Sequence, residues 1–311
     1  MAIPTSFGFD STATEVASHY ANEIKGKTVL ITGVSPNGLG AEAAISIAKN
    51  QPKLLILAGR SIEKINETKK EIEKVSEGKV ETKVLILDLA SFEATKTAAQ
   101  EVLSYDIAID VLINNAGVMA LPERTLSTDG FEMQFASNHL GPFIFTNTIL
   151  PALKRSSDPR IVVVSSWGHH LSNFIFEDPN AEQSYDKWKR YGSTKTANVQ
   201  FAVGLTKKKG IKSISLHPGA IRTELLRYMT KEDELAMGFI NEDGTPGDRF
   251  KFKSLPQGAA THIVAAFEPS LKGGEYLDDC QVQKECEEYA LNEENAEKLW
   301  KVSNELTKSH F

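Results

Sequence analysis

The chain has 311 residues, 41% of them hydrophobic and 24% charged, an ordinary globular composition at a length that α/β folds hold as one domain. A net charge of −6 excludes a chain-wide basic field of the kind that binds nucleic acid or anionic lipid. Two cysteines, Cys280 and Cys286, are too few for a disulfide framework and lack zinc-site spacing; with no long apolar run in residues 1–26 and charges recurring throughout, a cytoplasmic protein without a membrane span is expected.

Taken in chain order, residues 1–22 read as an added N-terminal arm. Lys27–Thr32 is a short apolar, β-branched run typical of a buried strand, and Gly33-Val34-Ser35-Pro36-Asn37-Gly38-Leu39-Gly40 follows before an alanine-rich helical pattern over Ala41–Asn50. Glycines at a strand-to-helix joint permit a tight turn and let backbone approach a pyrophosphate, whose charge the free N–H groups and the helix N-terminus stabilise. The next strand, Lys53–Ala58, ends in Gly59-Arg60-Ser61. An acid there would accept bonds from a ribose 2′-hydroxyl; an arginine suits a 2′-phosphate, so NADP(H) is favoured over NAD. Further strands are predicted near 83–87, 110–113, 160–165 and 211–216, with helix-length segments between them. That alternation implies a parallel sheet covered on both faces, with ligands at the strands' carboxyl ends.

Later in the chain, Tyr191 and Lys195 form a Tyr-x-x-x-Lys step. Residues four apart share a helix face, so the ammonium of Lys195 can lie beside the phenol of Tyr191 and lower its pKa from the usual ~10, fitting it to exchange a proton with an oxygen that gains or loses hydride. Lys207-Lys208-Lys209 reads as the solvated, dipole-favoured end of that helix. His139, His169 and His170 lack a third ligand at useful spacing, so no metal site is expected and structural or substrate-facing roles are preferred. Leu225–Phe252 carries Leu225, Leu226, Tyr228, Met229, Met237 and Phe239 among charges, which suits either a mobile lid over an apolar ligand or a surface helix packed through one face. Residues 292–309 read as a terminal helix with Leu299, Trp300 and Leu306 available for packing.

These motifs together resemble the short-chain dehydrogenase/reductase family from Gly26 to about Gln283. Thr32–Gly40 is similar to its glycine turn, with four residues between Gly33 and Gly38 where the usual pattern has three, so which amide meets which phosphate oxygen stays open. Asp88-Leu89 resembles the pair that holds the adenine, Asn114-Asn115-Ala116-Gly117 the stretch after the fourth strand, and Pro218-Gly219-Ala220-Ile221-Arg222-Thr223 the cofactor-closing segment. Asn138, Ser166, Tyr191 and Lys195 resemble the catalytic tetrad.

The resemblance implies a single Rossmann-type domain over 1–311, a doubly wound parallel sheet with helices on both faces, with a substrate lid at 223–253. It implies cofactor contacts from Gly33, Ser35, Gly38, Leu39, Gly40, Arg60, Ser61, Asp88, Leu89, Asn115, Ala116, Gly117, Tyr191, Lys195, Pro218, Gly219, Ile221 and Thr223. In the implied chemistry Tyr191 protonates a carbonyl oxygen and Ser166 orients it. Lys195 also fixes the nicotinamide ribose, and Asn138 supports a water-linked proton path.

The long Trp167–Arg190 interval, with its His-His and Phe-Ile-Phe-Glu-Asp, resembles the retinol-dehydrogenase-like branch, which tends towards apolar carbonyls and alcohols. An NADPH-dependent reductase of a lipophilic or aromatic ketone is the leading reading; a non-catalytic NADP-sensing protein and a sugar-nucleotide epimerase are the alternatives. A homodimer through helical faces is also implied, unless the segments at 1–22 and 292–311 cover them.

Overall fold

In β1 (Thr28–Thr32) successive side chains leave opposite faces, and both faces are apolar: Val29 and Ile31 enter one core, Leu30 the other. Such a strand fits only the interior of a sheet covered on both sides. The computed structural model, which describes residues 2–247, 251–283 and 285–311, places it there. Its partners are β2 (Leu54–Gly59) and β4 (Val111–Asn114), in a sheet ordered β3-β2-β1-β4-β5-β6-β7-β8. The remaining strands are β3 (Glu81–Ile86), β5 (Arg160–Val164), β6 (Lys212–Leu216), β7 (Tyr276–Asp278) and β8 (Gln281–Val282). Pairing is parallel from β3 through β7 and antiparallel only between β7 and β8. The strand order reverses at β1, which opens a crevice beyond the ends of β1 and β4.

One face is covered by α1 (Ala13–His19), α2 (Leu39–Ala48), α3 (Ile62–Val75) and α8 (Leu255–Phe267), numbered along the chain, through side chains such as Val16, Ile47, Ile65 and Ile263. On the other lie α4 (Phe92–Ser104), α5 (Gly141–Thr148) and α6 (Lys187–Lys209), which contribute Val102, Phe143 and Phe201. A short α7 (Lys231–Met237) stands over the crevice, and α9 (Glu293–Thr307) packs along α6.

The six strands predicted from sequence lie at the expected places, whereas β7 and β8, three and two residues long, are too short to show a periodic signature. The N-terminal segment is no loose appendage. Thr12 and Glu15 form a capping box, α1 buries Ala13, Val16 and Ala17, and the Tyr20 hydroxyl donates to Glu268 at 2.7 Å. The lysine run forms the last turn of α6 with Lys207 and Lys208 exposed, as expected, and it also ties two helices together: Lys207 pairs with Glu293, and Lys208 with Glu297 at 2.5 Å. Beside it Trp300 of α9 meets Phe143 edge-on, with ring centroids 5.0 Å apart, and lies over Gly204, where a Cβ would stand 3.0 Å from the indole.

Candidate active site

The glycine turn is built by close approach. Gly33 has φ of 75° and a Cβ there would stand 2.8 Å from the Cα of Ala116; one on Gly40 would stand 2.6 Å from both the Gly33 carbonyl and Asn115 Nδ2. No side chain fits either position. Asn115 Nδ2 donates to the carbonyls of Thr32 (2.9 Å) and Gly33 (3.1 Å), while its Oδ1 faces His262 Nε2 at 3.2 Å. Asn115 therefore bolts the turn to the end of β4, and His262 of α8, which sequence reasoning missed, backs it. The extra residue in the turn is absorbed locally: Asn37 takes the left-handed conformation with φ of 59°, which asparagine tolerates, and Gly38 N–H donates to the Ser35 carbonyl at 3.1 Å. Gly38 and Leu39 still open α2 beside the cleft, presenting its first amides.

Beyond β2, Arg60 is exposed at the cleft edge and has no carboxylate partner among the described residues. Ser61 caps α3, accepting from Lys64 N–H at 3.2 Å, and its hydroxyl donates to Glu63 at 2.7 Å. Lys64, one turn into α3, adds a second cation to this end of the cleft and was not foreseen. Asp88 Oδ1 accepts from Ala90 N–H at 3.0 Å, and Leu89 and the Pro218–Ile221 segment complete the lining with Thr223.

The structure brings Ser166, Tyr191 and Lys195 to one wall. The Tyr191 ring packs against the turn after β5 because both contacts are glycine: a Cβ on Gly168 would stand 2.8 Å from the ring, and one on Gly192 would stand 2.7 Å from the Gly168 carbonyl. Sequence reasoning singled out neither. Lys195 Nζ donates to the Val164 carbonyl at 3.0 Å and lies 5.6 Å from the centre of the Tyr191 ring. Contrary to the sequence expectation, the phenol is not lowered: burial pushes it up to about 12, opposed by the bond with Ser166, and burial brings Lys195 down to about 8. Desolvation outweighs the neighbouring cation. Asn138 lies in a π-helical turn, Ala136–Leu140, where its Oδ1 accepts from Val118 N–H (2.8 Å) and its Nδ2 donates to the Val118 carbonyl (2.9 Å) and Thr194 Oγ1 (3.0 Å). It joins the loop after β4 to α6.

The other end of the cleft, about 630 Å³ in all, is mostly apolar: beside Glu224 and Arg227 it is lined by Met119, Trp167, Trp188, Leu225, Leu226, Met229, Met237, Phe239 and Phe252. The expected lid supplies six of these nine, although its residues 248–250 lie outside the described ones. His169 is structural, with Nδ1 at 2.7 Å from the Ser166 carbonyl and Nε2 at 3.6 Å from Cys286 Sγ, while His170 pairs with Glu287 at 2.8 Å.

A glycine turn at the sheet's switch point, with a tyrosine and a lysine on one helix face beside it, is an arrangement that suits a nucleotide-dependent oxidoreductase. The chain belongs to the short chain dehydrogenase family, whose model matches residues 27–234, and is an oxidoreductase of the kind that binds nicotinamide cofactors. Within the family it falls in the retinol-dehydrogenase-like branch. It is 37% identical to short-chain dehydrogenase/reductase prx1 of Penicillium rubens, over 91% of this chain and 85% of that protein. To human retinol dehydrogenase 14 it is 36% identical, over 89% of this chain and 85% of that one. A solved structure of an uncharacterized protein from Mycobacterium paratuberculosis matches with a TM-score of 0.68 at 29% identity, covering 93% of this chain and 96% of the other. Among the described residues no helix is long and apolar enough to cross a membrane.

Proposed function

We propose that the protein uses NADPH to reduce lipophilic or aromatic ketones, or runs the reverse oxidation of the corresponding alcohols, with Tyr191, Lys195 and Ser166 as its catalytic residues. The observation that carries this reading is the composition of one continuous cleft: a glycine-built turn and two cations at one end, Tyr191 and Ser166 in the middle, and a mostly apolar wall at the other.

The residues fit the cofactor. Gly33 and Gly40 leave no room for a side chain where backbone must approach a pyrophosphate, the opening amides of α2 favour its charge, and Arg60 with Lys64 suits a 2′-phosphate. When bound, the nicotinamide supplies hydride. Asp88, Leu89 and the 218–223 segment would hold its other parts.

The rest is done by the chain. A phenol pushed up to about 12 carries its proton at neutral pH, the state a general acid needs to protonate a carbonyl oxygen. Ser166, on the same wall, would share that oxygen, so two donors would meet the charge that develops there. Lys195, held by the Val164 carbonyl, would fix a ribose hydroxyl, and Asn138 keeps the loop carrying Gly117 against α6. The apolar wall would take the body of the substrate and exclude water. The buried free thiols Cys280 and Cys286 fit a reducing compartment such as the cytoplasm.

The test is NADPH oxidation with a panel of cyclic and aromatic ketones beside a panel of nucleotide sugars, together with fluorescence titration of NADPH and NADH. Turnover of ketones with NADPH bound at least tenfold tighter is expected, a contact to the 2′-phosphate being worth roughly 1.5–3 kcal/mol. Turnover of nucleotide sugars alone, or equal affinity for the two cofactors, would contradict it.

A further inference from the structure

Resting on the reading of the apolar end as the substrate site, we propose that Asp233 determines which carbonyl compounds that site accepts, by fixing the indole of Trp188. Asp233 belongs to the lid helix α7, yet its carboxylate reaches the first turn of α6: Lys187 Nζ donates to Oδ2 at 2.6 Å and Trp188 Nε1 to Oδ1 at 3.2 Å. On its own element Oδ2 also accepts from Thr230 N–H at 2.9 Å, and the Asp233 amide donates back to Thr230 Oγ1 at 3.2 Å. The residue is only 9% exposed. Burial alone would raise its carboxyl, but the bonds from Lys187, Thr230 and Trp188 outweigh it and hold the group below the usual carboxylate range.

The consequence lies in what Trp188 touches. It stands three residues before Tyr191, so it shares that helix face, and it packs with Tyr191, Leu225, Leu226 and Met229 in one apolar cluster on the cleft. An indole that is part of a packed wall needs a partner for its N–H; Asp233 supplies it from the lid, while the Lys187 ammonium lies 5.7 Å from the ring centre. Carboxylate, ammonium and indole thus clasp α7 to α6 and set the angle of the wall beside the reacting centre. Neither Asp233 nor Lys187 lines the cleft, so the clasp acts through Trp188 and leaves the nucleotide end untouched. Asp233 is a positioning residue that selects substrate by size and shape.

The test compares Asp233→Asn, Trp188→Phe and the double variant with the parent. Asp233→Asn keeps the shape but removes the charge on which three donors converge, those of Lys187, Trp188 and Thr230. KM for a bulky ketone, 2-tetralone, should rise about tenfold, the cost of one bond to a charged group, while KM for cyclohexanone and Kd for NADPH change less than about twofold. Trp188→Phe, which alters the wall itself, should likewise raise the ratio of the tetralone KM to the cyclohexanone KM about tenfold, and the double variant should be no worse than the worse single one, because both act through one bond. Amide exchange over 231–237, measured with no carbonyl compound present, should be about tenfold faster in Asp233→Asn. That arm decides the clasp even where the ketone panel refutes the reductase reading. Unchanged exchange over 231–237 would overturn the clasp. Faster exchange with an unchanged tetralone-to-cyclohexanone ratio, or additive effects in the double variant, would overturn the selecting role. Should Asp233→Asn fold poorly, Trp188→Phe still carries the substrate-ratio test.

Discussion

At the glycine-turn end of the cleft the parts close on backbone: the Asn115 side chain grips the carbonyls of Thr32 and Gly33, and Gly40 presses on Gly33 with no space for a methyl. At the substrate end the parts are joined through side chains: Asp233 reaches Lys187 and Trp188 across two elements, and methionines and leucines fill the surface between. The first arrangement is rigid because close-packed backbone has no alternative rotamers to visit. The second can re-pack, since methionine is unbranched and adaptable. One cleft therefore combines a fixed seat for a constant ligand with a wall that sequence change can reshape without disturbing that seat.

The junction between the two ends is where breaking the molecule costs most. Tyr191→Phe keeps the ring that packs on Gly168 but removes the proton donor, so ketone reduction should fall by about 10²-fold or more while NADPH affinity stays near that of the parent. Single-turnover kinetics with a parallel cofactor titration checks this; retained turnover would remove Tyr191 from its role.

A smaller effect sharpens the contrast directly. Gly40→Ala inserts a Cβ 2.6 Å from the Gly33 carbonyl, which should cost about 1–3 kcal/mol of stability and weaken NADPH binding. Leu226→Ala at the other end should leave NADPH affinity unchanged. Urea unfolding and cofactor titration of the two variants measure the difference.

An effect seen only as the pH falls serves as a control outside both ends. His139 stacks on Phe135 and meets Phe201 edge-on, with Nε2 2.8 Å from Ser303 Oγ, and burial lowers it from 6.5 to about 3. As pH falls below 6.5 the unfolded chain takes a proton that the folded one refuses, so stability is lost towards acid. In His139→Phe that component disappears: between pH 7 and pH 5 the variant should lose about 2 kcal/mol less than the parent, read from urea midpoints at the two pH values.

The two ends also differ in how well they can be read from sequence. Gly33, Gly38, Gly40, Arg60, Asn115, Ser166, Tyr191 and Lys195 each fall at a strand end or along one helix, so local pattern and chain order place them. What escaped was pairing between distant segments: His262 behind Asn115, Gly168 against Gly192, Asp233 on Trp188. The insertion before Tyr191 is another case. Arg190, only 3% exposed, donates to the carbonyls of Asp178 (2.9 Å) and Pro179 (3.0 Å), and no spacing rule marks an arginine as a buried brace. The pKa of Tyr191 departs from expectation for a related reason, because helical spacing reveals the neighbouring lysine but not the burial that raises the phenol.

Hydrogen exchange followed in two stages tests the division most directly. NADPH alone should slow exchange at residues 33–40, 114–118 and 217–223 and leave 225–240 nearly as in the free protein; addition of a bulky ketone or its alcohol should then slow 225–240. Protection of both regions by NADPH alone would show that the two ends are one cooperative unit and contradict the account.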